Sequence, residues 1–178
     1  TPGNDQLNLL DQLTVRTLRG LGYKRNVSLR RYADHLLVGM KFARFAQQME
    51  KPDCIVASLP TLDLAYHACN YSKQNKIPFI VDVRDPWPDA LLDILPAQLK
   101  RIGRVLLSRD YRMARNILAQ ADSLVAVSET FLNWALSYAG RKRANTDKVF
   151  YIGHETAPAH LTNTSERFAN LMKILHGK

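Results

Sequence analysis

The sequence predicts an α/β fold built on a parallel β-sheet. Two observations lead to this prediction: short apolar runs rich in Val and Ile alternate with longer segments of helical periodicity, and each run ends in polar residues. Strands that alternate with helices along a chain join through right-handed crossovers and form a parallel sheet. The 178 residues, 46% of them hydrophobic and 23% charged, suffice for one domain with its own core.

The element boundaries follow from the same periodicity and from the Pro and Gly residues that interrupt it. The mixed segment 1–25 predicts a loop with at most one short helix, leading into a domain at 26–160. Strands are predicted at 54–58, 79–85, 123–128 and 149–153. Helices are predicted at 29–50, 62–76, 99–120, 129–139 and 165–175.

The strand at 79–85 carries the most informative residues. Period-two alternation places Asp82 and Arg84 on one face, where they form a buried ion pair or part of a site. Asp85 emerges where the strand stops, and Trp87 is held in a stiff loop between two prolines. A charged residue in a stiff loop at a strand end favours a binding or catalytic role for Asp85. For Trp87 the two alternatives are that its ring stacks on a ligand or that it only fills the inside of the loop.

Polar residues also follow the other predicted strands. In an open parallel sheet, ligands bind beyond the carboxyl ends of the strands. Ser128 is alternatively a helix N-cap. Gly153 suits a turn with positive φ. The residues expected along this edge are Ser58, Trp87, Ser128, Gly153, His154 and Glu155.

Charge and cysteine usage restrict the class of protein. With 25 Lys and Arg against 16 Asp and Glu, the net charge is +9, which favours an anionic partner. Cys54 and Cys69 lie in apolar runs without CxxC spacing, so we expect buried thiols in a reducing, cytoplasmic compartment. The scattered histidines lack metal-ligand spacing, and no metal is expected in this chain.

The predicted helix at 99–120 is amphipathic. Its basic stripe is either a solvated face or a contact with the anionic headgroups of a membrane. The arginines of this stripe are Arg101, Arg104, Arg112 and Arg115. The opposite side, expected to face the core, carries Leu99, Ile102, Leu106, Met113 and Ile117.

Four segments, in their order and spacing, resemble the amino-terminal domain of glycosyltransferase family four, as found in bacterial enzymes of polysaccharide and lipopolysaccharide synthesis. They are KPDCIVASLP at 51–60, IPFIVDVRDPWP at 77–88, ADSLVAVS at 121–128 and VFYIGHE at 149–155. The segment 22–43 resembles the acceptor-side segment of the same enzymes.

The resemblance implies a Rossmann-like sheet with helices on both faces, as part of the amino-terminal half of a GT-B fold. It implies that this chain is a fragment, in which 161–178 is a helix at the crossing toward a donor-binding domain. The implied activity moves a sugar, with retention of configuration, from a nucleotide sugar to a polysaccharide or lipid-linked acceptor. The nucleotide sugar is a co-substrate, and no cofactor is expected in this chain.

The resemblance also assigns roles to individual residues. Asp85 is expected to contact the acceptor hydroxyl or to face the positive charge that develops on the sugar. Arg84 contacts donor phosphate or only pairs with Asp82; many members carry a histidine near this position, and enzymes with an RDxWP loop do not. Asn26, Arg30 and Arg31 are expected to bind an anionic acceptor or to be exposed charges near a helix start.

Two other functions compete with this one. A catalytically inert interaction module would keep half of a GT-B fold without transfer. A nucleic-acid-binding domain would explain the charge of +9, but its arginines are not interleaved with aromatic residues and no known nucleic-acid-binding signature appears. We therefore expect no nucleic-acid partner, and a location in the cytoplasm or on the inner face of the cell membrane.

Overall fold

The computed structural model describes residues 6–10, 13–23 and 28–153. The strands are β1 (Gln6–Leu10), β2 (Leu13–Arg16), β3 (Ile55–Leu59), β4 (Phe79–Val83), β5 (Ser123–Ala126) and β6 (Lys148–Val149). The helices are α1 (Leu29–Ala46), α2 (Leu62–Asn75), α3 (Asp89–Asp93), α4 (Ala97–Leu106), α5 (Ser108–Gln120) and α6 (Glu129–Ala139).

The main sheet is parallel and has the strand order β3-β4-β5-β6. Helices flank it, which confirms the predicted α/β class and is consistent with a Rossmann-like fold. The predicted strands and helices are present with ends shifted by a few residues, except where stated below. The chain thus places the carboxyl ends of β3, β4 and β5 along one edge.

The core lies between the sheet and α2, α5 and α6. Alternate strand residues, among them Leu59, Val81 and Leu124, are buried against these helices. The opposite sheet face carries Val56 and Ser58, which are exposed. In the described residues, the helices packed on the sheet are α2, α5 and α6. Right-handed crossovers between successive neighbouring strands place these helices on the same side of the sheet.

Side chains and left-handed residues define the helix ends. Ser28 caps α1 and Ser128 caps α6, each accepting a hydrogen bond from the backbone N–H three residues later, at 3.2 Å. At the C-terminal end of α6, Gly140 has φ +65°, the conformation that glycine adopts without strain.

The opening of the chain differs from the prediction. Strands β1 and β2 pair in an antiparallel two-stranded sheet, where a loop or short helix was expected. The following residues pack on α1: the Lys41 amine donates to the Arg19 carbonyl (2.6 Å), and the Gly22 N–H donates to Asp34 (2.9 Å). Gly20 lies so close to Asp34 that a Cβ atom would overlap its carboxylate.

The helix predicted at 99–120 is two helices, α4 and α5, which meet at Leu107. Gly103 of α4 is buried against the side chains of Leu92 and Leu95, and a Cβ atom there would lie 2.8 and 2.7 Å from their methyl carbons. This close approach holds α4 against the end of α3 and the residues after it, whereas α5 packs on the sheet and on α2 and α6. The two helices therefore pack against different elements.

Candidate functional site

A cavity of about 450 Å³ opens at the carboxyl ends of β3 and β4. Four parts of the chain meet there: the start of α1, the β3–α2 junction, the residues from Trp87 to Leu91, and the α4–α5 junction. Its apolar lining consists of Leu29, Pro60, Leu62, Trp87, Leu91 and Leu106. Its polar lining consists of Ser28, Arg31, Tyr32, His35, Asp63 and Asp110. A ligand with apolar and polar parts fits such a lining.

Arg31 and Trp87, both predicted from sequence, meet in this cavity. The Arg31 guanidinium carbon lies 5.7 Å from the ring centroid of Trp87 and 5.7 Å from that of Tyr23, so it interacts with two aromatic faces. Its Nε also donates to His35 Nε2 at 3.5 Å. Burial, followed by the charge of Arg31, lowers the pKa of His35, so this imidazole is neutral at pH 7 and able to accept.

A charged network forms one wall of the cavity. Arg109 donates to Asp63 (Nη2–Oδ1, 2.5 Å) and to the Tyr32 hydroxyl (Nη1–Oη, 2.9 Å), and that hydroxyl donates to Asp110 (2.6 Å). Both carboxylates are buried, and burial raises the pKa of Asp110. The hydrogen bond to Asp63 raises the pKa of Arg109. The network joins α1, α2 and α5 and presents carboxylate groups to the cavity.

Asp89 fixes the loop that carries Trp87. Its Oδ2 accepts from Trp134 Nε1 (2.8 Å) and from the Tyr138 hydroxyl (2.6 Å), and its Oδ1 accepts from the Tyr111 hydroxyl (2.6 Å). Burial raises the pKa of Asp89, but the three hydrogen bonds outweigh it and the pKa is lowered. The first residue of α3 is thus attached to both α5 and α6, and the preceding loop is held in place.

The predicted catalytic residues Arg84 and Asp85 lie outside this cavity. Arg84 pairs with Asp82 (Nε–Oδ2, 2.7 Å), and Ser58 donates to the same oxygen (2.9 Å). Asp82 and Arg84 thus form the ion pair that was one of the two interpretations of this strand. The pair lies on the sheet face opposite the helices. The Arg84 side chain is nevertheless 59% exposed, and Asp85 is exposed at the strand end.

Some of the other predicted binding residues have structural roles, and others lie outside the described residues. Arg30 donates to the backbone carbonyls of Gly22 (2.7 Å) and Leu21 (3.0 Å), and Ser128 is the N-cap of α6. Gly153 does not have the positive φ that was expected for it. Asn26, His154, Glu155 and the helix predicted at 165–175 lie outside the described residues.

The basic stripe predicted on one long helix is divided between α4 and α5. Arg101, Arg104, Arg112 and Arg115 are all exposed. Of the apolar residues expected to face the core opposite them, Met113 and Ile117 of α5 are buried, whereas Leu99, Ile102 and Leu106 of α4 are exposed. Cys69 is buried as predicted, but Cys54, which immediately precedes β3, is exposed.

Sequence reasoning missed the charged wall and the Asp89 anchor. One signal was available: Asp110 precedes Met113, Ala114 and Ile117 at helical spacings of three, four and seven, which places its carboxylate on the buried face of α5. Asp63, Arg109 and Asp89 carry no comparable pattern, since their partners lie on other elements.

Comparison of the chain with protein-family models, with curated proteins and with solved structures finds no match. Within residues 6–10, 13–23 and 28–153, no three His, Cys, Asp or Glu side chains are grouped to hold a metal ion. Over the same residues, no helix combines the length and apolar character needed to cross a membrane.

Proposed function

We propose that this chain forms the acceptor side of a glycosyltransferase, which moves a sugar from a nucleotide sugar to a polysaccharide or lipid-linked acceptor with retention of configuration. The observation that carries the proposal is the cavity at the carboxyl edge of the parallel sheet, with its apolar lining, the Arg31–Trp87 pair and the buried carboxylates. Such an edge is where Rossmann-like sheets bind ligands.

The lining suits an acceptor that has both apolar and polar parts. Sugar rings have apolar faces that pack on aromatic side chains and hydroxyl groups that donate to carboxylates, and both kinds of partner are present in Trp87, Asp63 and Asp110. A phosphate on the acceptor is an anion that Arg31 attracts at the same rim. The acceptor would therefore lie with its sugar toward the charged wall.

Glycosyl transfer requires an acceptor hydroxyl beside the anomeric carbon, stabilisation of a cationic sugar and neutralisation of the departing diphosphate. The acceptor oxygen forms the new bond to the anomeric carbon as its O–H bond breaks. The nucleoside diphosphate leaves with the electrons of its bond to that carbon and takes up the proton of the acceptor hydroxyl. In this proposal Asp85, exposed at the end of β4, faces the developing positive charge, and Arg84 contacts the diphosphate while it remains paired with Asp82.

The test is a transfer assay with the protein expressed from its complete gene. Labelled UDP-, GDP- and ADP-sugars are each supplied with lipid and polysaccharide extracts, and we expect label to move into one extract. Trp87→Ala should raise the KM for the acceptor, and Asp85→Asn should lower kcat. Asp93→Asn, an exposed change in α3, is the matched control and should leave both unchanged.

Two results would contradict the proposed activity, and a third would contradict only the role given to Asp85. Saturable binding of an acceptor without transfer from any donor would favour an inert interaction module. Binding to a nonspecific DNA duplex at low salt, without transfer, would favour a nucleic-acid-binding domain. Transfer unaltered by Asp85→Asn would remove Asp85 from the mechanism.

A further inference from the structure

The charged wall of the cavity has one negative charge in excess. It consists of Tyr32, Asp63, Arg109 and Asp110. Its two carboxylates share one guanidinium: Arg109 Nη2 donates to Asp63 Oδ1, and its Nη1 lies 3.7 Å from Asp110 Oδ1. His35, which lines the same cavity, is neutral at pH 7. The side chains of Asp63 and Asp110 are only 7 and 4% exposed, so solvent screens their charge poorly and a cation in the cavity would balance it.

Each of these carboxylates keeps one oxygen for a ligand. Oδ1 of Asp63 accepts from Arg109, and Oδ1 of Asp110 accepts from the Tyr32 hydroxyl. In the part of the chain that the structure describes, no group donates to Oδ2 of either residue, yet neither oxygen is sealed off from solvent. Both residues line the cavity. A donor supplied by a ligand therefore satisfies acceptors that the protein leaves open.

The helices that carry the two carboxylates favour their charged form. Asp63 lies in the first turn of α2 and Asp110 in the first turn of α5, where the positive end of the helix dipole stabilises a negative charge. Burial, and to a smaller extent the charge of Asp63, raises the pKa of Asp110. A cation beside both groups has the opposite effect. It would therefore offset the repulsion between the two carboxylates.

The lining favours an organic ammonium over a metal ion. Calcium takes six to eight oxygen ligands and magnesium an octahedral set. No three His, Cys, Asp or Glu side chains are grouped for this purpose in 6–10, 13–23 or 28–153. An ammonium group donates three hydrogen bonds, and the carbon atoms attached to it pack on apolar side chains such as Trp87 and Leu91, which line the cavity.

Arg31 adds an anion-binding group to the same cavity. Its guanidinium carbon lies 5.7 Å from the ring centroid of Trp87, and both residues belong to the lining. A guanidinium matches the geometry of a phosphate, just as the charged wall matches an ammonium. The volume of about 450 Å³ lies in the range of cavities that hold small ligands. One small molecule with charges of both signs suits these two groups better than a neutral one does.

We propose that this cavity selects a ligand that carries both a primary ammonium and an anionic group, with the ammonium bound by Asp63 and Asp110 and the anion by Arg31. The Oδ2 atoms of the two carboxylates accept from the ammonium, and Trp87 packs on the apolar face of the ring between the two charges. Identifying this ligand with the acceptor rests on the proposed function. The acceptor is then a phosphorylated amino sugar whose nitrogen is not acylated.

The experiment is isothermal titration calorimetry of the protein expressed from its complete gene, at about pH 6.5, where a sugar amine carries a proton. The probes are glucosamine 6-phosphate, glucose 6-phosphate and N-acetylglucosamine 6-phosphate, which share the phosphate and differ in one substituent. We expect the Kd for glucosamine 6-phosphate to be lower by about tenfold or more, because hydrogen bonds between two ionised groups are stronger than those with a neutral partner.

Substitutions assign the preference to the wall. Asp110→Asn keeps the shape of the side chain and should remove most of the preference for glucosamine 6-phosphate over glucose 6-phosphate. Asp93→Asn removes the same charge at an exposed position in α3 and should keep the preference. Arg31→Gln should weaken all three probes by a similar factor, because it acts on the phosphate that they share. Circular dichroism checks that the variants fold, and the comparison of probes on the wild-type protein needs no variant.

The outcomes separate this inference from the proposed function. Equal affinity for the three probes, absence of binding, or a preference that Asp110→Asn leaves intact would overturn the amine site, whereas sugar transfer to an acceptor without an amine would still support the proposed function. A preference for glucosamine 6-phosphate in a protein that transfers no sugar would support the amine site and contradict the reaction.

Discussion

Replacing Asp89 by Asn tests the idea that this carboxylate fixes the Trp87 loop. The side chain keeps its size but loses its charge and one of its two acceptor oxygens. Oδ2 accepts from Trp134 and Tyr138, whereas Oδ1 accepts from Tyr111. The amide is best placed with its oxygen toward the first two donors, so that its NH₂ group faces the Tyr111 hydroxyl, which then has to turn and accept.

The magnitude follows from these three contacts. Hydrogen bonds to a charged group contribute about 1 kcal/mol more each than neutral ones, so three of them predict a loss of about 3 kcal/mol in the free energy of unfolding. The lowered pKa sets the pH dependence: the contribution of Asp89 is present above its ordinary pKa and is lost as the pH falls through the lowered value in the folded state. The difference between wild type and variant should therefore shrink below about pH 4.

The assay is urea unfolding of wild type, Asp89→Asn and Asp93→Asn at neutral and acidic pH. Asp93 belongs to the same helix but its side chain is 78% exposed, with an ion pair to Lys100, so its replacement should cost less than about 1 kcal/mol at any pH. Equal stability of Asp89→Asn and wild type at neutral pH would refute the reasoning. So would a loss that keeps its full size in acid.

Three further predictions concern other parts of the chain. Burial raises the pKa of Asp147, but hydrogen bonds from Arg141 and from backbone N–H groups outweigh it and lower the pKa to about 2. We therefore expect Asp147 to contribute about 2 kcal/mol to the free energy of unfolding above pH 4, and to lose this contribution toward pH 2. Asp147→Asn should remove this pH dependence from the stability measured by urea unfolding. Gly39→Ala should lower the thermal midpoint, since its Cβ would lie 3.0 Å from the Asp63 carbonyl; an unchanged midpoint would contradict that contact. A thiol reagent should label exposed Cys54 rapidly and buried Cys69 only on unfolding.

The sheet and most helices were predictable because apolar periodicity reports which side of an element is buried. The division between α4 and α5 was not predictable, since the helical periodicity of the sequence continues across Leu107. The packing of α4 depends on residues outside that window, since Gly103, one turn before Leu107, lies against Leu92 and Leu95. Similarly, nothing in a window of sequence says that the apolar side of α4 faces solvent while that of α5 faces the core.

The site was predictable where its residues are neighbours along a strand or stand out locally. The Asp82–Arg84 pair follows from strand alternation, and Arg31 and Trp87 were each identified separately before the fold brought them together. The charged wall formed by Tyr32, Asp63, Arg109 and Asp110 was not predictable, because its members are far apart in sequence: Tyr32 and Asp110 are separated by 78 residues. Long-range pairs of this kind are set by how helices pack.

The strand order β3-β4-β5-β6 also bears on how the chain acquires its structure. Within this sheet, each strand after β3 pairs with the one synthesised just before it, so each β–α unit can add to an edge that is already present. Closing such a pair brings together only the residues of one crossover, which keeps the entropy cost of each step low. A chain with this order can assemble its sheet in the direction of synthesis, from β3 toward β6.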